Sequence, residues 1–203
     1  MSPDELAKAL GQPGRASIPY LDRYNPDRPL VLECFRPQAH NPDKPVVIVQ
    51  HGASRNGAEY CEAWIAAAGR HGLLIVAITF SKEAWPDAVT YNNGHVLDQN
   101  GGLRPRECWS LAIPGRVFAL LREAGITRRD KTYLWGAFRR RTIRPSAVGD
   151  AAARHFRGGR SRQSRVVHIA DARPCLPGRA WRHRADARRC RSFSRLPARD
   201  LFR

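Results

Sequence analysis

Two segments have the residue types and spacing needed to act on an ester or amide carbonyl. The first is VVIVQHGASRNG, residues 46–57, in which a β-branched run ends at His51 and Gly52. A glycine at this point lets the chain turn sharply and expose backbone N–H groups. Such donors can hold the negative oxygen that forms when a carbonyl is attacked. An ordinary glycine-containing turn between a strand and a helix fits the same residues.

The second segment is YLWG, residues 133–136, an apolar run that ends in a glycine. In the motif G-x-S-x-G, a strand leads into a strained turn that presents a nucleophilic serine. Gly136 supplies the first glycine, but Phe138 occupies the serine position and Arg140 the second glycine position. Phenylalanine cannot attack a carbonyl, so we predict that this chain has lost its nucleophile.

The surrounding pattern predicts elements that would position both turns. Ser2, Pro3 and Glu5 form a capping-box pattern for a short helix, and residues 11–28 have the Gly, Pro, Asn and Asp content of a loop. Apolar runs predict strands over 29–35, 44–50, 73–80 and 131–135, helical spacing predicts helices over 58–70 and 106–125, and a long loop covers 81–105. This alternation predicts an α/β fold, with a mainly parallel sheet and flanking helices.

Residues 29–136 resemble the N-terminal half of an α/β-hydrolase of the serine esterase or depolymerase-like kind. VVIVQHGASRNG, LLIVAITF and KTYLWG carry the resemblance. It implies that the backbone of Ala53, just after Gly52, donates to the oxyanion together with the residue that follows the nucleophile. It also implies that intact relatives cleave a small-molecule ester by serine attack, without a cofactor.

The resemblance divides the chain into three parts. Residues 1–28 form an N-terminal helix and loop, residues 29–136 a truncated α/β-hydrolase domain, and residues 137–203 an arginine-rich, irregular and disordered tail. No catalytic Asp or His can be placed in that tail. We therefore assign no catalytic residue to this chain and describe Gly52 and Ala53 as an oxyanion-hole remnant. Gly136 and Phe138 are the remnant of the elbow.

The positive charge of the protein is concentrated in the tail. The formal net charge is +17, yet residues 1–136 hold 16 basic and 14 acidic residues, whereas residues 137–203 hold 19 Arg and 4 Asp. The tail contains no Lys, Glu, Asn, Tyr or Met. Its composition therefore differs in kind from that of the first two thirds of the chain.

A change of reading frame after Gly136 accounts for this composition. Arg, Ala, Pro and Gly have codons rich in G and C, so a GC-rich gene read out of register gives an arginine-rich product without lysine. Codons for residues 137–150 can be chosen that encode H-S-A-G-G-Q-F-V-H-R-L-L-A when read one base later. Preceded by Gly136, that reading restores a G-x-S-x-G elbow followed by an amphipathic helix.

The alternative is a small α/β module with an authentic basic tail that binds nucleic acid through phosphate contacts. Arginine-rich tails of that kind usually mix Lys and Arg, and any such tail binds nucleic acid nonspecifically. The nucleotide sequence around codons 136–138 discriminates between the two interpretations.

The remaining chemistry-bearing residues have modest predicted roles. Five scattered cysteines form no C-x-x-C pair, which argues against a disulfide framework and a metal site. No window approaches a membrane span and the N-terminus is not a secretory signal, so we expect no membrane partner and a cytoplasmic location.

Most of the individual histidines and aromatic residues are open to a purely structural interpretation. His51 is expected to pack the loop rather than act as a base. Tyr91, Asn92 and His95 either line a substrate cleft or belong to an ordinary exposed loop. The tryptophans at positions 64, 85 and 109 are expected in the core or in a cleft wall.

Overall fold

The computed structural model describes residues 1–136 and the backbone of residues 165–170. The elements in chain order are α1 (Pro3–Ala9), β1 (Gly14–Asp22), β2 (Asn25–Arg36), β3 (Val46–Gln50), α2 (Gly57–His71), β4 (Leu74–Thr79), α3 (Ile113–Glu123), β5 (Lys131–Gly136) and β6 (Arg165–Ala170). Two 3-10 turns, Arg106–Cys108 and Ser110–Ala112, precede α3.

The strands form one mixed sheet in the order β1-β2-β4-β3-β5-β6. β3 pairs in parallel with both β4 and β5, while the β1–β2, β2–β4 and β5–β6 pairs are antiparallel. The predicted α/β fold with flanking helices is confirmed, and the parallel pairing lies at the centre of the sheet. β1 and β2 are antiparallel because only two residues connect them, and a parallel pair needs a long crossover.

The prediction of a loop over residues 11–28 is wrong. Most of this segment is β1, and β2 already begins at Asn25, so the expected boundary after residue 28 falls inside a strand. Along β1 the side chains of Ile18, Tyr20 and Asp22 are buried and alternate with exposed ones. Pro19 lies at an exposed position of this edge strand, where a missing N–H is tolerated.

Apolar side chains cover both faces of the central strands. On one face, Ile48 and Val76 belong to a buried cluster with residues of α1 and α3. On the other face, Val47 and Val49 pack with Cys61 and Ala68 of α2. This double burial explains why the predicted strands over 44–50 and 73–80 are almost entirely apolar.

The start of α1 and the end of α2 lie where the sequence predicts them, whereas the start of α3 does not. The capping box at Ser2 and Glu5 is confirmed, and α2 stops at Gly72, which has the left-handed φ of 70° expected of a helix C-cap. The helix predicted over 106–125 is shorter, because α3 begins only at Ile113. Pro114 therefore lies in the first turn of α3, where a backbone N–H would have no partner within the helix. Its missing N–H does no harm there, and it does not kink the helix.

Within the predicted tail, the structure describes only the backbone of β6, which pairs with β5. Phe138 and Arg140 lie outside the described residues. No helix among the described residues is both long and apolar enough to cross a membrane.

Candidate oxyanion site

The two turns singled out in the sequence leave the sheet side by side. Gln50, the last residue of β3, lies opposite Gly136, the last residue of β5, in parallel register. The chain therefore leaves both strands at the same edge of the sheet. The loop of residues 51–56 starts there, and Phe138 follows two residues beyond Gly136.

The backbone of the 51–56 loop is fixed at the Gly52 carbonyl. Its oxygen lies 2.9 Å from Nδ1 of His51 and accepts the Arg55 N–H at 3.2 Å. In a trans peptide the following N–H points opposite to the carbonyl, so the Ala53 N–H points away from the His51 ring. Ala53 is exposed, and its N–H donates to no group in the described part of the chain.

His51 holds this arrangement from the buried side. Its Nε2 accepts the Phe80 N–H at 2.8 Å, so the neutral ring carries its proton on Nδ1, facing the Gly52 carbonyl. Burial lowers the pKa of His51 to about 4. Since both ring nitrogens are engaged by the protein, the predicted loop-packing role of His51 is confirmed.

Tyr91 joins the long loop to the same histidine. Its hydroxyl donates to the His51 carbonyl and lies 2.8 Å from Nδ1, and the two rings stack with centroids 4.9 Å apart. Burial raises the pKa of Tyr91, which therefore stays a neutral donor. The exposed-loop interpretation is wrong for Tyr91 and His95, which are buried, and it holds for Asn92.

Arg55 is the residue of this site that sequence reasoning missed. It has a left-handed φ of 62°, and its guanidinium donates to the carbonyls of Phe80 at 3.1 Å and Trp85 at 2.9 Å. The guanidinium carbon also lies 3.7 Å from the centroid of the Tyr91 ring. An arginine in a turn gives no signal of this kind, because the groups it contacts are 25 or more residues away.

Of the three tryptophans, Trp85 occupies the predicted core position, and the other two are half-buried. Trp85 is fully buried and packs edge-on against Phe80, with centroids 5.0 Å apart. Trp64 is half-buried against Trp135 at 5.9 Å, on the α2 side of the sheet. Trp109 is half-buried and donates from Nε1 to the Arg104 carbonyl at 2.8 Å.

The two buried cysteines offer no alternative nucleophile. Cys34, Cys61 and Cys108 are free thiols. Burial raises the pKa of Cys61 to about 11 and raises that of Cys34 further above its ordinary value. Both are therefore protonated at neutral pH and unreactive. Among the described residues, no group of three or more His, Cys, Asp or Glu side chains could hold a metal ion.

Comparison with known proteins identifies the fold. A scan of protein-family models finds no match, and a search of curated proteins finds none either. Among solved structures, LpqC, a poly(3-hydroxybutyrate) depolymerase from Bordetella parapertussis, is 48% identical with a TM-score of 0.64, over 67% of this chain and 47% of that chain. Poly(aspartic acid) hydrolase-1 from Sphingomonas sp. KT-1 is 30% identical with a TM-score of 0.57, over 62% of this chain and 47% of that one.

The chain thus spans about half the length of the structures it matches. Over this half, the backbone shape and the sequence both match those structures. The described part of the chain has the fold of the N-terminal half of an α/β-hydrolase of the esterase and depolymerase type.

Proposed function

We propose that residues 1–136 are the oxyanion-binding half of a serine ester hydrolase whose nucleophile has been lost from this chain. The observation that carries the proposal is the pairing of Gln50 with Gly136, which brings the 51–56 loop and the elbow position to one edge of the sheet. The exposed Ala53 N–H, adjacent to Gly52, is the donor for the oxyanion.

In an intact relative, a serine two residues after Gly136 would attack the ester carbonyl. A histidine would take the serine proton and pass it to the departing alcohol, leaving an acyl-enzyme that water hydrolyses. The Ala53 N–H and the N–H after the serine would hold the negative oxygen in both steps. The other half of the fold of such a relative would supply the histidine and its acidic partner.

This chain itself is inactive under the proposal. Phe138 stands in the serine position, and the arginine-rich residues 137–203 stand where the second half of the fold belongs. Gly136 and Phe138 are then the elbow remnant, and Gly136 is the last residue of the hydrolase domain. The change of frame lies between codons 136 and 138.

The substrate class of an intact relative is an ester of a small carboxylic acid or a short oligoester. Two observations support this choice. The relative with 48% identity is described as acting on a polyester, poly(3-hydroxybutyrate). The relative with 30% identity is described as acting on poly(aspartic acid), whose backbone amide reacts through the same kind of acyl transfer.

The test is to delete one base at codons 136–137 and to assay both proteins. The restored frame is expected to hydrolyse p-nitrophenyl butyrate, whereas the present chain shows no turnover above a heat-killed control. Replacing the restored serine with alanine is the matched control and should abolish the activity. Turnover by the present chain, or an inactive restored chain with no open frame behind the deletion, would contradict the proposal.

The tail carries the second candidate function, nonspecific nucleic-acid binding. The observation that favours it is the excess of 19 Arg over 4 Asp in residues 137–203. Phosphate contacts by arginine would give affinity for any DNA, which falls steeply as salt rises. Equal competition by unrelated DNA sequences is the expected result, and preference for one sequence would favour an authentic binding module instead of a frameshift product.

A further inference from the structure

We infer that Arg55 is a positioning residue that holds the Gly52–Ala53 peptide in its oxyanion-binding orientation through Tyr91 and His51. The inference rests on the proposed function, because it assigns a role to a residue around the same Ala53 N–H. Arg55 touches neither substrate nor the reacting atoms in this role.

The backbone of Arg55 adopts a conformation that a side chain normally avoids. Its φ of 62° lies in the left-handed region, which carries a free-energy cost for a non-glycine residue. Glycine would remove that cost, yet the position holds an arginine. The strained conformation brings the Arg55 N–H to the Gly52 carbonyl at 3.2 Å and the guanidinium to the far side of the loop.

The guanidinium joins two segments of the molecule. Its two terminal nitrogens donate to the carbonyls of Phe80 and Trp85, at the start of the long loop, and its carbon lies over the Tyr91 ring. Arg55 forms no ion pair with any described carboxylate. Burial lowers the pKa of Arg55, so the side chain gives up hydration for contacts that only tie the two loops together.

Tyr91 connects Arg55 to His51 in the 51–56 loop. The ring held under Arg55 places its hydroxyl on the His51 carbonyl and beside Nδ1. His51 in turn presents Nδ1–H to the Gly52 carbonyl. Without Arg55, Tyr91 loses the contact that holds its ring, the His51 Nδ1–H can lose the Gly52 carbonyl, and the 52–53 peptide can rotate. Rotation would withdraw the Ala53 N–H from the position where an oxyanion forms.

Three variants of the full chain separate the possible contributions of Arg55. Arg55→Gly removes the guanidinium and also relieves the backbone strain. Arg55→Lys keeps the charge and the backbone strain but loses the fork that reaches two carbonyls. Tyr91→Phe removes only the hydroxyl that contacts His51. Arg28→Lys is the matched control, because Arg28 also donates to a carbonyl, that of Ala84, and lies over Trp85, but does not touch the 51–56 loop.

The readout is the His51 tautomer and pKa, measured by NMR with 15N-labelled histidine, which needs no enzyme activity. The parent chain and Arg28→Lys should show His51 protonated on Nδ1, with a pKa near 4. Arg55→Gly and Tyr91→Phe should loosen the packing around His51 and raise its pKa toward 6.5, with Arg55→Lys in between. Unchanged His51 signals in Arg55→Gly would overturn the inference.

The same variants in the restored frame test the catalytic consequence. Arg55→Gly should lower kcat for p-nitrophenyl butyrate about 10- to 100-fold, with little change in KM, because the lost donor acts on the transition state. Equal kcat values in Arg55→Gly and the restored parent would count against the inference. An inactive restored parent would instead contradict the proposed function, while the His51 signals still decide the role of Arg55.

Discussion

Arg116 of α3 forms a two-point ion pair with Asp22 at the end of β1. Its Nε and Nη2 atoms donate to the two carboxylate oxygens at 2.6 and 2.8 Å, and the Asp22 side chain is fully buried. Asn25 donates to the same carboxylate at 2.8 Å. These contacts join the β1–β2 hairpin to a helix 94 residues further along the chain.

Removing this guanidinium should destabilise the fold. Arg116→Leu leaves the buried Asp22 carboxylate without its countercharge, a loss of about 3 kcal/mol or more in the free energy of unfolding. Chemical denaturation followed by tryptophan fluorescence measures it. Arg15→Ala, which breaks the exposed Arg15–Glu62 pair, is the control and should change stability by less than about 1 kcal/mol. Equal losses in the two variants would show that burial does not distinguish the pairs.

The start of α2 should not tolerate a side chain at Gly57. A Cβ added there would lie 2.0 Å from Oγ1 of Thr79 in β4, so Gly57→Ala should cost about 1–3 kcal/mol of stability. Thr79→Ala removes that oxygen, and the double variant should recover part of the loss. Gly69→Ala in the same helix meets nothing within 4 Å and should stabilise by about 0.5–1 kcal/mol. A neutral Gly57→Ala variant would show that α2 does not pack this closely on β4.

The free energy of unfolding should decrease as the pH is lowered, because the buried His51 becomes protonated. The pKa of His51 is about 4 in the folded chain, against an ordinary value of 6.5. The unfolded chain therefore binds more protons in this interval, and stability is full above pH 6.5 and declines toward pH 4. We expect His51 to account for roughly 2–3 kcal/mol of that decline.

His51→Gln is the control for this pH dependence. Glutamine cannot titrate, so the stability difference between the parent and the variant should shrink as the pH falls from 6.5 to 4. The groups that face His51 are Tyr91 and Arg55, which are present in both proteins and do not titrate in this interval. A difference that stays constant with pH would mean that His51 is not buried in its neutral form.

The cysteines should react with thiol reagents at very different rates. Cys34 and Cys61 are buried with raised pKa values, whereas Cys108 is partly exposed beside Trp109. We expect iodoacetamide to label Cys108 in the folded chain and to reach Cys34 and Cys61 only after unfolding. Peptide mass spectrometry after timed labelling measures this, and rapid labelling of Cys61 in the native chain would show that α2 opens readily.

Much of the fold could be predicted from local patterns. Continuous apolar runs marked β3 and β4 because both faces of these strands are buried, and Gly72 marked the end of α2 because glycine adopts a left-handed conformation without strain. β1 was missed because Gly and Pro at an exposed edge strand resemble a loop. The turn at Gly52 and Ala53 could be predicted as a candidate oxyanion site because a strand followed by His-Gly is a local signal.

The sequence by itself determined that residue 138 is a phenylalanine, that charge and composition change after Gly136, and that the strands alternate with helices. Only the tertiary structure decided that Gln50 lies beside Gly136 and that Arg55, Tyr91 and His51 support the Gly52 carbonyl. The physical reason is that periodicity and turn chemistry act between near neighbours in the chain. Contacts across 30 to 90 residues depend on how the packed elements bring distant groups together.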